Sequence, residues 1–196
     1  MLAVVLAFPG RFIHPLTPVN DVPMVKIVEE RLLRAKRIDD ALTVVPVGQV
    51  KKYSLHVRSP VGVRSKNDVE VLLRVLPPAG GIFLANGRMP LIMPFLVDYL
   101  STLYPENGPD ALIPRWADGS LEVTHAFYDV DALSDTLETC MAEGEKRLSC
   151  IGDYMDYEPV DIEPLSARNP KVALSFLRVR NSLDLRFAEE NLRRGL

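Results

Sequence analysis

His125 stands three residues after Glu122 and three before Tyr128, a set of side chains able to give, take and relay a proton. Alternation along an extended segment puts His125 on one side with Val123 and Phe127, which is the expectation for a buried structural histidine. His56, between Leu55 and Val57, has nothing near it in the chain to serve as a partner. Asp153, Asp156, Glu158 and Asp161 offer oxygen ligands, but without the spacing and glycine of a calcium loop they read as a solvated face or loop. Ser54, Ser149 and Ser166 lack a nucleophile-elbow context, so no hydrolase triad is assigned. Trp116, beside Arg115, suits stacking on a base or a partner as well as it suits packing on its own domain. Cys140 and Cys150 belong to no CxxC pair or Cys/His cluster; two buried thiols in a reducing, cytoplasmic setting are expected.

The elements that must position these groups alternate between strand and helix. At 196 residues, 47% hydrophobic and 25% charged, the chain has enough apolar mass for one core and too little for two, so residues 1–196 read as a single domain. A net charge of -3 with interspersed signs argues against nucleic acid as a partner. The run Leu2 to Phe8 is apolar throughout, is too short to span a bilayer, and lacks a basic leader and a cleavage site, so it reads as a central buried strand and not as a membrane segment. After an irregular stretch, Met24, Val28, Leu32 and Ala35 mark a helix. Strands are expected at Ala41–Val47, Tyr53–Val57, Gly81–Ala85, Ala111–Pro114 and Leu174–Val179, with an antiparallel excursion through Asp118-Gly119 into Leu121–Phe127. Helices are expected after Asn67 and Pro94, from Val130 to Met141, and after Asn181, with a short helix or turn over Lys146–Ile151. The Met93-Pro94-Phe95 corner is a candidate homodimer contact. This order predicts a three-layer Rossmann-like α/β domain: a mixed, mostly parallel sheet with helices on both faces and ligands beyond the carboxyl ends of its strands.

Six segments in sequence carry a resemblance: AVVLA, PVNDVPMVKIVEERLLRA, FLANGRMPLIMPFLVDYL, DALIPRWADGSLEVTHAFY, GEKRL and FLRVRNSLDLRFAEENL. Together they resemble the molybdenum cofactor guanylyltransferase family and its nucleotidyltransferase relatives. The resemblance implies a nucleotidyltransferase fold that binds GTP, or another nucleotide, against a glycine-rich loop after the first strand. It implies transfer of GMP to a phosphorylated cofactor such as molybdopterin, with pyrophosphate leaving and magnesium assisting. Against that pattern, a glycine pair, a serine-rich turn, an arginine and a lysine are replaced by Phe8, Pro9, Gly10, Arg11, Phe12, Ile13 and His14. Gly10 and Arg11 keep phosphate-loop character, and His14 falls where the family's lysine would be, as a conditional cation or as a plain loop histidine.

Where the resemblance places a magnesium-binding aspartate, this chain has Arg88 before Met89-Pro90, and a guanidinium ligates no cation. Two family asparagines around a valine correspond to Arg178 and Arg180 around Val179. Arg88 and Arg178 then have two readings. They form an anion pocket that replaces the metal's charge, or they reach solvent or pair with nearby carboxylates. Glu106, Asp118 and Asp129 are the carboxylates close enough in sequence to serve as substitute metal ligands. The expected functions are correspondingly two: a divergent nucleotidyltransferase, or a non-catalytic protein that binds a nucleotide or anionic metabolite. A transferase acting on sugar or cobamide precursors is a third, since the fold selects no single acceptor.

Overall fold

The computed structural model describes residues 1–65, 67–104 and 108–195. Strand β1 (Leu2–Leu6) is buried on both faces because every residue from Ala3 onward is apolar: Ala3 and Val5 enter one core layer, Val4 and Leu6 the other. The following stretch, expected to be irregular, contains a two-residue hairpin, β2 (Pro18–Val19) with β3 (Val22–Pro23). Asn20 and Asp21 turn it at φ 47 and 67, the left-handed region that short polar side chains tolerate. Helix α1 (Met24–Leu32) buries Met24, Val25, Val28 and Leu32. Strand β4 (Asp40–Pro46) returns beside β1 in parallel, with Val4 opposite Leu42.

The expected strand at Tyr53–Val57 is absent. Residues Val50–Tyr53 form helix α2, and the next strand is β5 (Pro60–Val63). The alternating Tyr53, Leu55 and Val57 suggested period two, yet Leu55 is 78% exposed while Tyr53 and Val57 are buried, the Val57 N–H donating to the Tyr53 carbonyl at 3.0 Å across a turn that follows the helix. Pro60 sits at the start of a strand at the edge of the sheet, where a missing N–H costs no ladder bond. Helix α3 (Asp68–Leu73) is capped by Asn67, whose side chain accepts from the N–H groups of Val69 and Glu70. Its capping box closes through Ser65, which accepts from the Asn67 N–H and donates to the Glu70 carboxylate. Asn67→Ala is expected to cost about 1 kcal/mol. That is a fall in Tm of roughly 2–4 °C, and an unchanged melting curve would show the cap to be idle.

Strand β6 (Gly81–Asn86) lies parallel to β1 on its other side, and helix α4 (Pro94–Thr102) starts at its proline as expected. At the corner before it, Met93 is buried and donates its N–H to Ser175, while Phe95 is 47% exposed. The antiparallel excursion is formed by β7 (Ala111–Arg115) and β8 (His125–Asp129), shorter than the segment expected, with Leu121 bridging to Arg115. Helix α5 (Val130–Ala142) is capped by Asp129 and stops at Gly144, whose φ is 80. A 3-10 turn, Leu148–Cys150, and helix α6 (Ile151–Tyr154) follow.

The acidic run expected as a loop supplies β9 (Glu158–Asp161), parallel to β7 at the other edge. Its charged ends and Pro159 suit an edge, and Asp161 pairs with Arg115 at 2.8 Å. Helices α7 (Ile162–Arg168) and α8 (Lys171–Ser175) come next, so Leu174–Val179, expected as a strand, is a helix end and an extended link. The Val179 N–H of that link makes a strand-like bond to the Arg88 carbonyl at 2.8 Å. Helix α9 (Ser182–Arg193) is capped by Asn181.

The sheet order is β5-β4-β1-β6-β8-β7-β9, with β6–β8 and β7–β8 the antiparallel pairs. One apolar layer packs α1, α2, α4, α7 and α8 on one face, and a second packs α3, α5 and α6 on the other. A third cluster fastens α9, through Ala188, to Val19, Met24 and Val179. The two cysteines, expected as free thiols, are joined: Cys140 at the end of α5 is disulfide-bonded to Cys150. Among the described residues, no helix is long and apolar enough to cross a membrane.

Candidate functional site

Parallel strands end together, and the loops after β1 and β6 therefore meet at one rim of the sheet. Gly87 is what lets them meet so closely. Its N–H donates to the Leu6 carbonyl at 2.9 Å, and a Cβ on it would come within 3.2 Å of Ala7. The Asn86 side chain accepts the Arg88 N–H at 3.0 Å, turning the chain back over β1. The Arg88 guanidinium then lies against Gly10, where a Cβ would overlap it, 2.8 Å from Cζ. Gly10 itself is held by its N–H to the Ile13 carbonyl at 2.9 Å.

Arg88 lines a hollow of about 440 Å³ together with Arg147, Arg178, Asp68 and Thr124. Arg178 reaches it from the extended link after α8, donating from Nη2 to Thr124 Oγ1 at 2.8 Å. Arg147 reaches it from the segment between the bonded cysteines, anchored where the Asp68 N–H donates to the Lys146 carbonyl at 3.1 Å. The Nε of Arg88 is buried without a hydrogen-bond partner. Among the described residues, none of these three arginines makes an ion pair. Burial and the neighbouring charge of Arg178 lower the Arg88 pKa, with Asp68 acting in the other direction, from a starting value so high that the group stays cationic. Burial pushes the Asp68 carboxyl up, while Arg178, Arg147 and Arg88 pull it down. The hollow is thus a positive field around one carboxylate.

Two further hollows adjoin it. One, of about 540 Å³, shares Phe8, Pro9 and Asp68 and continues along Pro46, Val47 and Gly48 at the end of β4. The other, of about 500 Å³, shares Leu121 and Arg178 and is walled by Trp116 and Phe176. Trp116 packs edge-on to Phe176 at 5.7 Å and donates from Nε1 to Glu122 at 2.9 Å, so it serves its own fold while one side faces the hollow.

The other residues marked in the sequence fall outside this centre. Arg11 is exposed and stacks on Phe12 at 5.0 Å. His14 accepts the Leu16 N–H on Nδ1 at 3.1 Å, so Nε2 carries the proton that goes to Gln49 Oε1 at 2.9 Å. Burial, opposed by the Gln49 bond and helped by Lys52, lowers its pKa, which makes it a neutral loop anchor. Arg180 is exposed and pairs with Asp184. His125 is fully buried between Phe83 and Phe176, and burial takes its pKa down to about 3. Asp118 holds Ser120 in an exposed turn, Asp129 caps α5, and Glu106 lies outside the described residues.

Magnesium does not fit the donor set. It is usually held by one or two carboxylates together with substrate phosphates and waters, but the carboxylate here, Asp68, stands among three guanidiniums whose charge opposes a cation. Among the described residues no three His, Cys, Asp or Glu side chains come together. Asp68 and Arg147 were not singled out in the sequence. Asp68 directly follows the Asn67 cap, and Arg147 has only its place in the GEKRL segment to mark it.

No protein-family model matches the chain. It is 30% identical over 140 residues to a probable molybdenum cofactor guanylyltransferase of Thermococcus gammatolerans, covering 67% of this chain and 68% of the relative. A protein of the same name from Thermococcus sibiricus is 28% identical over 131 residues, covering 66% and 67%. In fold, the crystal structure of molybdopterin-guanine dinucleotide biosynthesis protein A from Archaeoglobus fulgidus is similar with a TM-score of 0.80 over 99% of this chain and 100% of that one, at 21% identity. With its motifs, its sheet order and this relationship in sequence, the chain belongs to the molybdenum cofactor guanylyltransferase family.

Proposed function

We propose that the chain binds GTP across this cleft and transfers GMP to a phosphorylated cofactor such as molybdopterin, as a small-molecule enzyme of the cytoplasm formed by one domain over residues 1–196. The observation that carries the reading is the convergence of Arg88, Arg147 and Arg178 at the carboxyl ends of β1 and β6, the rim where this class of sheet takes its ligands. The triphosphate lies against those guanidiniums. The base and ribose take the hollow along Pro46 and Gly48, and the acceptor the hollow beside Trp116 and Phe176. An acceptor phosphate oxygen forms its bond to the α-phosphorus as the bond to the bridging oxygen breaks, and pyrophosphate leaves with the electron pair. Preorganised guanidiniums beside the leaving oxygens stabilise that charge as it develops.

Calorimetric titration with GTP, CTP and GMP, each in magnesium and in EDTA, tests the binding step. GTP is expected to bind more tightly than GMP by roughly tenfold or more, through the extra phosphates on charged donors. Heat from none of the three retires the reading. A second reading, a non-catalytic protein that binds a nucleotide or anionic metabolite, is favoured by Arg88 standing where a ligating carboxylate would be. Incubation with GTP and molybdopterin separates the two: pyrophosphate release supports transfer, and tight GTP binding without it supports the second.

A further inference from the structure

We infer that Arg88, Arg147 and Arg178 form a metal-independent polyphosphate site in which guanidinium charge replaces a divalent cation, with Asp68 as its resident counter-charge. The inference rests on the reading of this cleft as the place for a nucleotide's phosphates, and it deepens that reading by fixing what neutralises them. Three observations carry it. The arginines come from three separate parts of the chain, the loops after β6, α5 and α8, yet line one hollow. Among the described residues none of the three makes an ion pair, and the buried Arg88 Nε has no hydrogen-bond partner, so donor capacity is left over inside the hollow. Lastly, a guanidinium held against Gly10 and steadied by the Asn86-Gly87 turn is preorganised, so little ordering cost remains when an anion arrives.

Charge balance explains Asp68. Free pyrophosphate or a triphosphate tail brings several negative charges, which suit three guanidiniums whose own field is moderated by a single carboxylate at the mouth. Bound magnesium would reduce the ligand's negative charge before it reaches an already positive hollow. Metal and arginines therefore compete for the same oxygens, and added magnesium should weaken binding, the reverse of its effect on a metal-requiring site.

Inorganic pyrophosphate, tripolyphosphate and GTP titrated into the whole protein in EDTA, and again in excess magnesium, provide the test. All three are expected to bind in EDTA and to weaken in magnesium. Arg88→Ala and Arg147→Ala should each weaken pyrophosphate by roughly tenfold or more. Asp68→Asn should tighten it about threefold or more by removing a like charge. Arg186→Ala, on the exposed side of α9, controls for net charge and should change nothing. Arg147 is exposed, so its variant keeps the test meaningful if the Arg88 variant folds poorly. Pyrophosphate binding in EDTA with no GTP binding would keep this inference and end the nucleotide reading. GTP binding only in magnesium would end this inference and keep the nucleotide reading. Pyrophosphate affinity untouched by both arginine variants, or no binding of any anion, would end the inference outright.

Discussion

Between pH 6.5 and pH 3 the protein is expected to lose stability along a slope that His125→Phe and His125→Leu both flatten. Burial holds the His125 pKa down to about 3, against an ordinary value of 6.5. Above pH 6.5 the imidazole is neutral in folded and unfolded chains alike, and its contribution is complete. Below 6.5 the unfolded chain takes up a proton that the folded chain refuses until about pH 3, so stability falls with pH across that window. At about 1.4 kcal/mol for each unit, the ceiling is about 5 kcal/mol, comparable with the whole stability of many domains. The cause is local: both ring nitrogens are buried without partners, between Phe83 at 5.3 Å and Phe176 at 4.5 Å. Glu29, whose burial raises its carboxyl, acts with the opposite sign, losing its contribution as pH rises above its ordinary 4.5. Urea titrations at intervals from pH 7.5 to pH 4 would read the slope. A wild-type slope matched by both variants would remove His125 from the account. The effect also bears on the site, because Thr124 beside it holds Arg178, and Phe176 against it leads into the same arm.

What the sequence disclosed and what it concealed divide along the range of the interactions involved. The caps at Asn67 and Asn181 are short-range devices, a side chain bonding N–H groups two and three residues ahead, and both were readable from residue type and spacing. Strand β1 was readable because burial on both faces leaves an unbroken apolar run. Tyr53, Leu55 and Val57 misled because period two and an i,i+4 pair coincide over five residues; a contact 46 residues away, Tyr53 Oη donating to the Ala7 carbonyl at 2.9 Å, helps hold the helix. Leu174–Val179 misled because its apolar residues cover the sheet from a helix end and an extended link, with Phe176 lying on His125 of β8 at 4.5 Å, and do not join the sheet as a strand. Arg88 and Arg178 could be paired in advance because two aligned departures from one family pattern both introduced a guanidinium. Arg147 and Asp68 had no such mark: their value lies in meeting residues far along the chain, and composition carries no record of that. The fold was therefore legible in its elements, and the site only where a resemblance had already fixed the position.

Reducing the Cys140–Cys150 bond is expected to cost about 3 kcal/mol, which for a chain of this length lowers Tm by roughly 6–12 °C. The bond closes a segment of sequence separation 10, and closure of that loop removes entropy from the unfolded chain. Its two ends are rigid, α5 on one side and the start of α6 on the other, and both sulfurs are buried in the second core layer. Between them, Gly144 turns the chain and residues 147–149 face the cleft. Reduction should therefore act twice: on the melting curve, and on the hold over Arg147. Pyrophosphate affinity is expected to fall on reduction in the wild type but not in Arg147→Ala, whose site has already lost that arm. Thiol titration of the unfolded, unreduced protein comes first, since two free thiols after exposure to air would remove the bond from the argument. If the bond is present, equal Tm values before and after reduction would show that α5 and α6 hold the segment unaided. A Tm shift with unchanged pyrophosphate affinity would leave the bond a staple of the core with no part in the site. The pairing also changes what the cysteines say about setting, for a bonded pair no longer argues for a reducing compartment as two free thiols did.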